Sequence, residues 1–256
     1  MHEKKEIVIL GHVCIDRNKS EKTSYAAAGG SATFIARIYN QLDCQAVIIS
    51  PYGRDFLEYC SLSMAVSPYQ RSKTLVYENI IRGKSRLQKA FHLKCAAPVR
   101  ITEEIIKIIK RADIVFVAPL LPNFSASYIS RAIGYTKKGA VKILLPQGYF
   151  RNINFKKEVV KRKFIEANKI LPFFDFAIMS DEDFPQMGKL ARTWVKESKT
   201  MHAMYPLEIP LHLSAVVLSL AATVCALYLV PLGGRSKAWL MNCAVSSKYR
   251  SAGSYA

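Results

Sequence analysis

Five short apolar runs, each stopped by glycine, proline or a polar loop, constrain this chain more than anything else in it. They are residues 7–10 (IVIL, closed by Gly11), 46–50 (AVIIS, closed by Pro51 and Gly53), 114–118 (IVFVA, closed by Pro119), 141–145 (VKILL, closed by Pro146-Gln147-Gly148) and 174–179 (FDFAIM, closed by Ser180-Asp181-Glu182-Asp183). Unbroken apolar runs mark strands buried on both faces, the signature of a parallel sheet between helices. Helical patterns separate them at residues 32–42, 102–111 (Thr102 as N-cap), 125–137 and 158–168. The alternation predicts an α/β fold whose ligands lie at the carboxyl ends of the strands. Residues 17–25 read as a polar loop.

One segment breaks the pattern. In residues 74–93, TLVYENIIRGKSRLQKAFHL, two β-rich arms flank Arg82-Gly83-Lys84. That is a hairpin signal, and it predicts a ribbon projecting from the main sheet.

A chain of 256 residues, half of them apolar, can bury a sizeable core. Its net charge of +18 suits anionic partners. The basic residues are dispersed, however, and the densest cluster, KKEVVKRKF at 156–164, spreads its charges around several faces of the predicted helix. With no RNA-binding aromatic motif and no zinc-finger spacing, nucleic acid is not the expected partner. None of the six cysteines sits in a CxxC pair. The first apolar run reads as a strand and not as a leader. Reduced thiols and a cytoplasmic location are the expectation, with Cys14 a buried structural thiol.

The candidate site begins at AAAGGSATF. Gly29 and Gly30 open the first helix, where unpaired amides and a partial positive charge collect. Glycine lets a ligand approach such a backbone. The pair alone is more often a turn than a site, and it is neither GxxxxGK[ST] nor GxGxxG. Asp16, just past the first strand, supplies a carboxylate that can accept hydrogen bonds from two hydroxyls of a polyol.

Taken in order, ILGHVCID, AAAGGSATFIARIYNQL and AVIISPYGRDF resemble the N-terminal half of the ribokinase, or PfkB, family of carbohydrate and nucleoside kinases. The resemblance covers about residues 5–190. It implies a three-layer α/β/α sandwich in residues 1–200 with a small β-lid from about 12–25 and 72–94. It implies ATP-dependent phosphoryl transfer to a sugar or nucleoside hydroxyl, with Mg²⁺. Asp16, Gly29, Gly30 and Ser31 would hold the acceptor, and Arg151 matches the arginine of a D-x-N-x-R segment. Ser180, Glu182 and Asp183 would help place Mg²⁺ and its waters. Lids that pair between subunits would make a homodimer. Phe34 stands where an asparagine is common. It either stacks on a ligand ring or belongs to the helix core, and its place on an amphipathic helix favours core.

The family's late G-A-G-D, which supplies an anion-binding helix start and the catalytic base, has no counterpart. No aspartate follows Asp183, and Gly233-Gly234 precedes Arg-Ser. Residues 1–200 carry 51 charged side chains and residues 201–256 carry five. The tail is therefore atypical or truncated. A frameshift, degenerate strands at 216–220 and 225–230, or a membrane span at 211–230 would each account for it, in that order of preference. The expected function is a sugar or nucleoside kinase, incomplete or inactive as written. The alternative is a non-catalytic relative that keeps the acceptor pocket.

Overall fold

The structure is a computed structural model. It describes residues 5–41, 44–60, 65–66, 70–83, 85–180, 183–197 and 202–204. The chain runs β1 (Glu6–Gly11), β2 (Cys14–Lys19), β3 (Ser24–Gly29), α1 (Ser31–Gln41), β4 (Gln45–Ile49), β5 (Tyr52–Gly53), β6 (Ala65–Val66), β7 (Gln70–Arg71), β8 (Val76–Arg82) and β9 (Ser85–Phe91). It continues with α2 (Glu103–Arg111), β10 (Ile114–Ala118), α3 (Ala126–Ile133), β11 (Val141–Leu144), β12 (Arg151–Ile153), β13 (Val159–Lys161), α4 (Ala167–Ile170), β14 (Phe176–Ile178), α5 (Met187–Glu197) and β15 (His202–Met204).

All five apolar runs enter one seven-stranded parallel sheet, in the order β15-β14-β11-β10-β1-β4-β6. Side chains alternate across it, so each strand feeds two cores. Val8, Leu10, Val115, Val117, Leu144 and Ala177 pack against α2, α3, α4 and α5 through residues such as Ile105, Ile129, Ile170 and Trp194. Ile7, Ile9, Ile48, Phe116 and Ile143 face the other way, onto Ile35, Ala36 and Tyr39 of α1. The expected α/β/α sandwich is what forms. Thr102 caps α2 as predicted, its hydroxyl accepting from the Ile105 amide.

The lid is a second sheet, ordered β3-β2-β8-β9. Residues 17–25, expected to be a loop, supply most of its first hairpin, β2–β3. Apart from Asn18, which meets the buried Asn79, these residues are exposed and so carry no apolar run. The helix expected at 158–168 is also corrected. Residues 159–161 form β13, paired antiparallel with β12, and only Ala167–Ile170 is helical. The turn between β12 and β13 is set locally. Asn154 Oδ1 accepts from the Glu158 amide at 2.9 Å, Asn154 Nδ2 donates to Glu158 Oε2 at 2.9 Å, and Lys157 takes a left-handed φ of 64°. The basic cluster therefore decorates a hairpin and not a helix.

This hairpin also joins the lid. The Ala90 amide donates to the Lys157 carbonyl at 2.9 Å, and the Lys157 ammonium lies 5.2 Å from the centre of the Phe91 ring. Elsewhere Asp55, two residues after Gly53, accepts from the Thr74 amide at 3.0 Å and its hydroxyl at 2.6 Å. Asp55 thus clasps the chain where it enters the lid.

The tail from 205 onward, with the candidate span at 211–230 and Gly233-Gly234, lies outside the described residues. Among the described residues, no helix is long and apolar enough to cross a membrane.

Candidate acceptor site under the lid

The loops after β10, β11 and β14, the start of α1 and the underside of the lid enclose a pocket of about 260 Å³. Strand register explains how the lid faces it. Asp16 of β2 pairs with Tyr77 of β8, which pairs with Ala90 of β9. The next rung on the same face is Asn18, Asn79 and Gln88. Asn79 is buried. Its Nδ2 donates to Asn18 Oδ1 at 3.0 Å, and its Oδ1 accepts from Gln88 Nε2 at 2.8 Å and from Arg86 Nη2 at 2.9 Å. Asp16, Tyr77, Arg86 and Gln88 all line the pocket.

The glycine pair is required by its neighbours. A Cβ on Gly29 would collide with the Asp16 carboxylate, so Gly29 stands directly behind that side chain. Gly30 has a φ of 89°, which L side chains rarely adopt, and a Cβ there would come within 2.8 Å of the His12 carbonyl oxygen. Gly30 and Ser31 line the pocket, whereas Gly29 lies behind Asp16. Thr33 returns its hydroxyl to the Gly29 carbonyl at 2.7 Å and fixes the first turn. Phe34, expected in the core, is half-buried and forms part of the pocket wall.

Burial raises the pKa of Asp16, against the Cys14 hydrogen bond and the charges of Arg151 and Arg86, which lower it. Cys14 donates to Asp16 Oδ1 over 3.5 Å, and burial pushes its thiol well above the ordinary range. A protonated buried thiol agrees with a structural role. Arg151 enters from β12, its guanidinium carbon 5.1 Å from the centre of the Tyr77 ring. Tyr77 donates to the Leu120 carbonyl at 2.7 Å. His12 holds that same loop. Its Nδ1 accepts from the Leu120 amide at 2.9 Å, so Nε2 carries the proton that reaches the Ala96 carbonyl at 2.9 Å. Sequence reading overlooked His12, Arg86, Gln88 and Lys161. Only the alternation of Arg86 and Gln88 along β9 offered a local signal.

On the far wall, Asp183 is buried and lines the pocket. Its Oδ2 accepts from the Ser180 amide at 3.0 Å and the Ser180 hydroxyl at 3.3 Å, and Gln147 also hydrogen-bonds the carboxylate. Burial still raises its pKa. Glu182 lies outside the described residues. Ser180 and Asp183 therefore clasp one another. A carboxylate so engaged is poorly suited to coordinate Mg²⁺ directly, an ion that demands open oxygens in octahedral geometry. Among the described residues no three His, Cys, Asp or Glu side chains converge to hold a metal.

No protein-family model matches the chain, and no curated protein matches it in sequence. Solved structures do match in three dimensions. A pyrophosphate-dependent kinase in the ribokinase family, complexed with a pyrophosphate analogue and myo-inositol, superposes with a TM-score of 0.70 at 17% identity, covering 88% of this chain and 87% of its own. Ribokinase from Arabidopsis thaliana, complexed with ribose and ATP, gives 0.63 at 12% identity over 95% and 91%. The Methanocaldococcus jannaschii nucleoside kinase, an archaeal member of the ribokinase family, gives 0.58 at 11% over 90% and 87%. The same fold is thus shared across very different sequences, and the fold of this chain is the ribokinase fold.

Proposed function

We propose that the pocket under the lid binds the acceptor of a carbohydrate or nucleoside kinase, and that the chain serves ATP-dependent transfer of a phosphoryl group to a hydroxyl of that acceptor. One observation carries the reading: Asp16 sits on the lid's inner face against Gly29, beside the Gly30-Ser31 helix start, and opens into a pocket walled by Arg151 and Asp183. A carboxylate next to the amides and hydroxyl of a helix start can take both the donor and acceptor sides of vicinal hydroxyls. The ribose, myo-inositol and nucleoside chemistry in the names of the structural neighbours agrees with such a ligand. A covering lid would exclude water from the transferring group. ATP and Mg²⁺ belong to this reading through the fold alone.

A second reading is favoured by the acids themselves. No aspartate follows Asp183 in the 256 residues, and Asp183 itself is already engaged by Ser180. On that reading the chain binds the acceptor without phosphorylating it. Calorimetry against a panel of aldoses, polyols and nucleosides tests the shared claim, with Asp16→Asn expected to weaken binding at least about tenfold. ATP consumption that depends on the bound ligand would select the kinase. Binding without consumption would select the non-catalytic relative. No binding at all would defeat both. Sequencing the gene from about codon 185 in all three frames tests the frameshift directly.

A further inference from the structure

Three cations line the pocket against two carboxylates, Asp16 and Asp183, more positive charge than a neutral polyol would use. Arg86 comes from lid strand β9, Arg151 from β12 and Lys161 from β13, and all three line it. Among the described residues, every ion pair within 4.0 Å involves other cations. Both arginines feel the charge of Asp16, and Arg151 that of Asp183, from beyond 4.0 Å, but their direct contacts are with uncharged groups. A single N–H of Arg86 is fixed by the buried Asn79 amide oxygen at 2.9 Å. The guanidinium of Arg151 rests on the Tyr77 ring. Each keeps further N–H donors in a set plane with its full charge. Of the two carboxylates in the lining, Asp183 is already satisfied by Ser180 and Gln147.

A neutral sugar would shield the half-buried Arg151 from water and return no charge to it or to Arg86 and Lys161, which is costly. An anionic oxygen pair would meet a guanidinium in two parallel hydrogen bonds. We propose that the acceptor is a polyol bearing an anionic group, a carboxylate or a phosphate, with its hydroxyls toward Asp16 and Gly30-Ser31 and its anion among Arg86, Arg151 and Lys161. This rests on the acceptor-site reading above and narrows it to sugar acids or sugar phosphates.

The test is calorimetry on the full chain in matched sets: glucose, gluconate and glucose 6-phosphate, then ribose, ribonate and ribose 5-phosphate. In at least one set an anionic member is expected to bind about tenfold or more tighter than its neutral parent. The carboxylate and phosphate arms identify the source of the anion. Arg86→Gln and Lys161→Gln should each shrink that ratio several-fold, with folding checked by thermal melting. Lys156→Gln, at the exposed hairpin tip outside the pocket, should leave it unchanged. Neutral parents that bind as tightly as the anions would overturn the proposal and leave the acceptor site standing. So would an equal loss in the Lys156 variant, which would point to diffuse surface charge. Inorganic phosphate or acetate binding as tightly as the sugar derivatives would show an anion site without polyol recognition. If no compound in either set binds, the acceptor reading falls as well.

Discussion

The hydroxyl of Tyr77, on lid strand β8, donates to the carbonyl of Leu120, in the loop after β10, over 2.7 Å. Both residues are buried, and the bond ties the lid to the carboxyl end of the central sheet. Burial pushes the Tyr77 phenol up to about 12, so it remains a donor at every physiological pH. Tyr77→Phe keeps the ring under Arg151 and strands the Leu120 carbonyl. Stability should fall by about 1–2 kcal/mol. Faster hydrogen exchange in β8 and β9, relative to the central sheet, would locate the loss in the lid.

The glycine pair separates two kinds of damage. Gly30→Ala meets a left-handed φ and the His12 carbonyl, so it should destabilise the whole fold by about 1–3 kcal/mol, read as a lower melting temperature. Gly29→Ala meets the Asp16 carboxylate, a side chain that can swing aside. Its melting temperature should drop less than that of Gly30→Ala, while ligand affinity falls by about an order of magnitude as Asp16 is displaced.

Acid should loosen the body through His12. Burial lowers its pKa from 6.5 to about 4, against a hydrogen bond to the Ala96 carbonyl that raises it. Between those values the unfolded chain binds a proton that the folded chain refuses, so stability declines as pH falls from about 6.5 to 4. The full loss is on the order of 3 kcal/mol. Asp16 and Asp183 act with the opposite sign. Their raised folded pKa values make the folded state the better proton binder above the usual carboxylate range, so acid relieves the cost of burying their charge. Denaturant melts of wild type and His12→Gln across this range isolate the histidine. The wild type should show the steeper decline, and parallel curves would refute the assignment.

Arg151 should set the acid limit of ligand binding. Its charge lowers the pKa of both Asp16 and Asp183. Arg151→Gln removes that influence, and both carboxyls then protonate at higher pH. Where binding needs ionised Asp16, the acid limb of affinity against pH must move upward. Calorimetric titrations at several pH values in the two proteins measure the displacement.

The parallel sheet was legible because strands buried on both faces cannot avoid writing themselves as apolar runs, and Gly, Pro and polar loops punctuate them. The β2–β3 hairpin left no local pattern, since Arg17, Lys19 and Ser24 are exposed and no hydrophobic alternation survives; only the family resemblance placed residues 12–25 in the lid. Residues 158–168 misled because EVVKRKF fits either period, while the deciding contacts, Asn154 with Glu158 and Ala90 with Lys157, are polar or distant. Asp16 and the glycine pair were visible as an ordered series. What they are for was not: the group that closely approaches Gly29 is the chain's own Asp16. His12 could not be read at all. Its partners lie 84 and 108 residues away, and a lone histidine before a cysteine carries no local sign of them.

The interior place of β1, between β10 and β4, has a consequence for how the protein is made. Val8 of β1 finds Val47 of β4 early, but its other neighbour, Val115 of β10, is synthesised much later. Until nearly half the polypeptide has left the ribosome, one edge of this apolar strand stays open to any passing strand. Pairings this distant in sequence close slowly. The nascent chain should therefore benefit from chaperone cover through that interval, and slowing translation between residues 50 and 114 should increase aggregation of the newborn protein while leaving the finished fold unaltered.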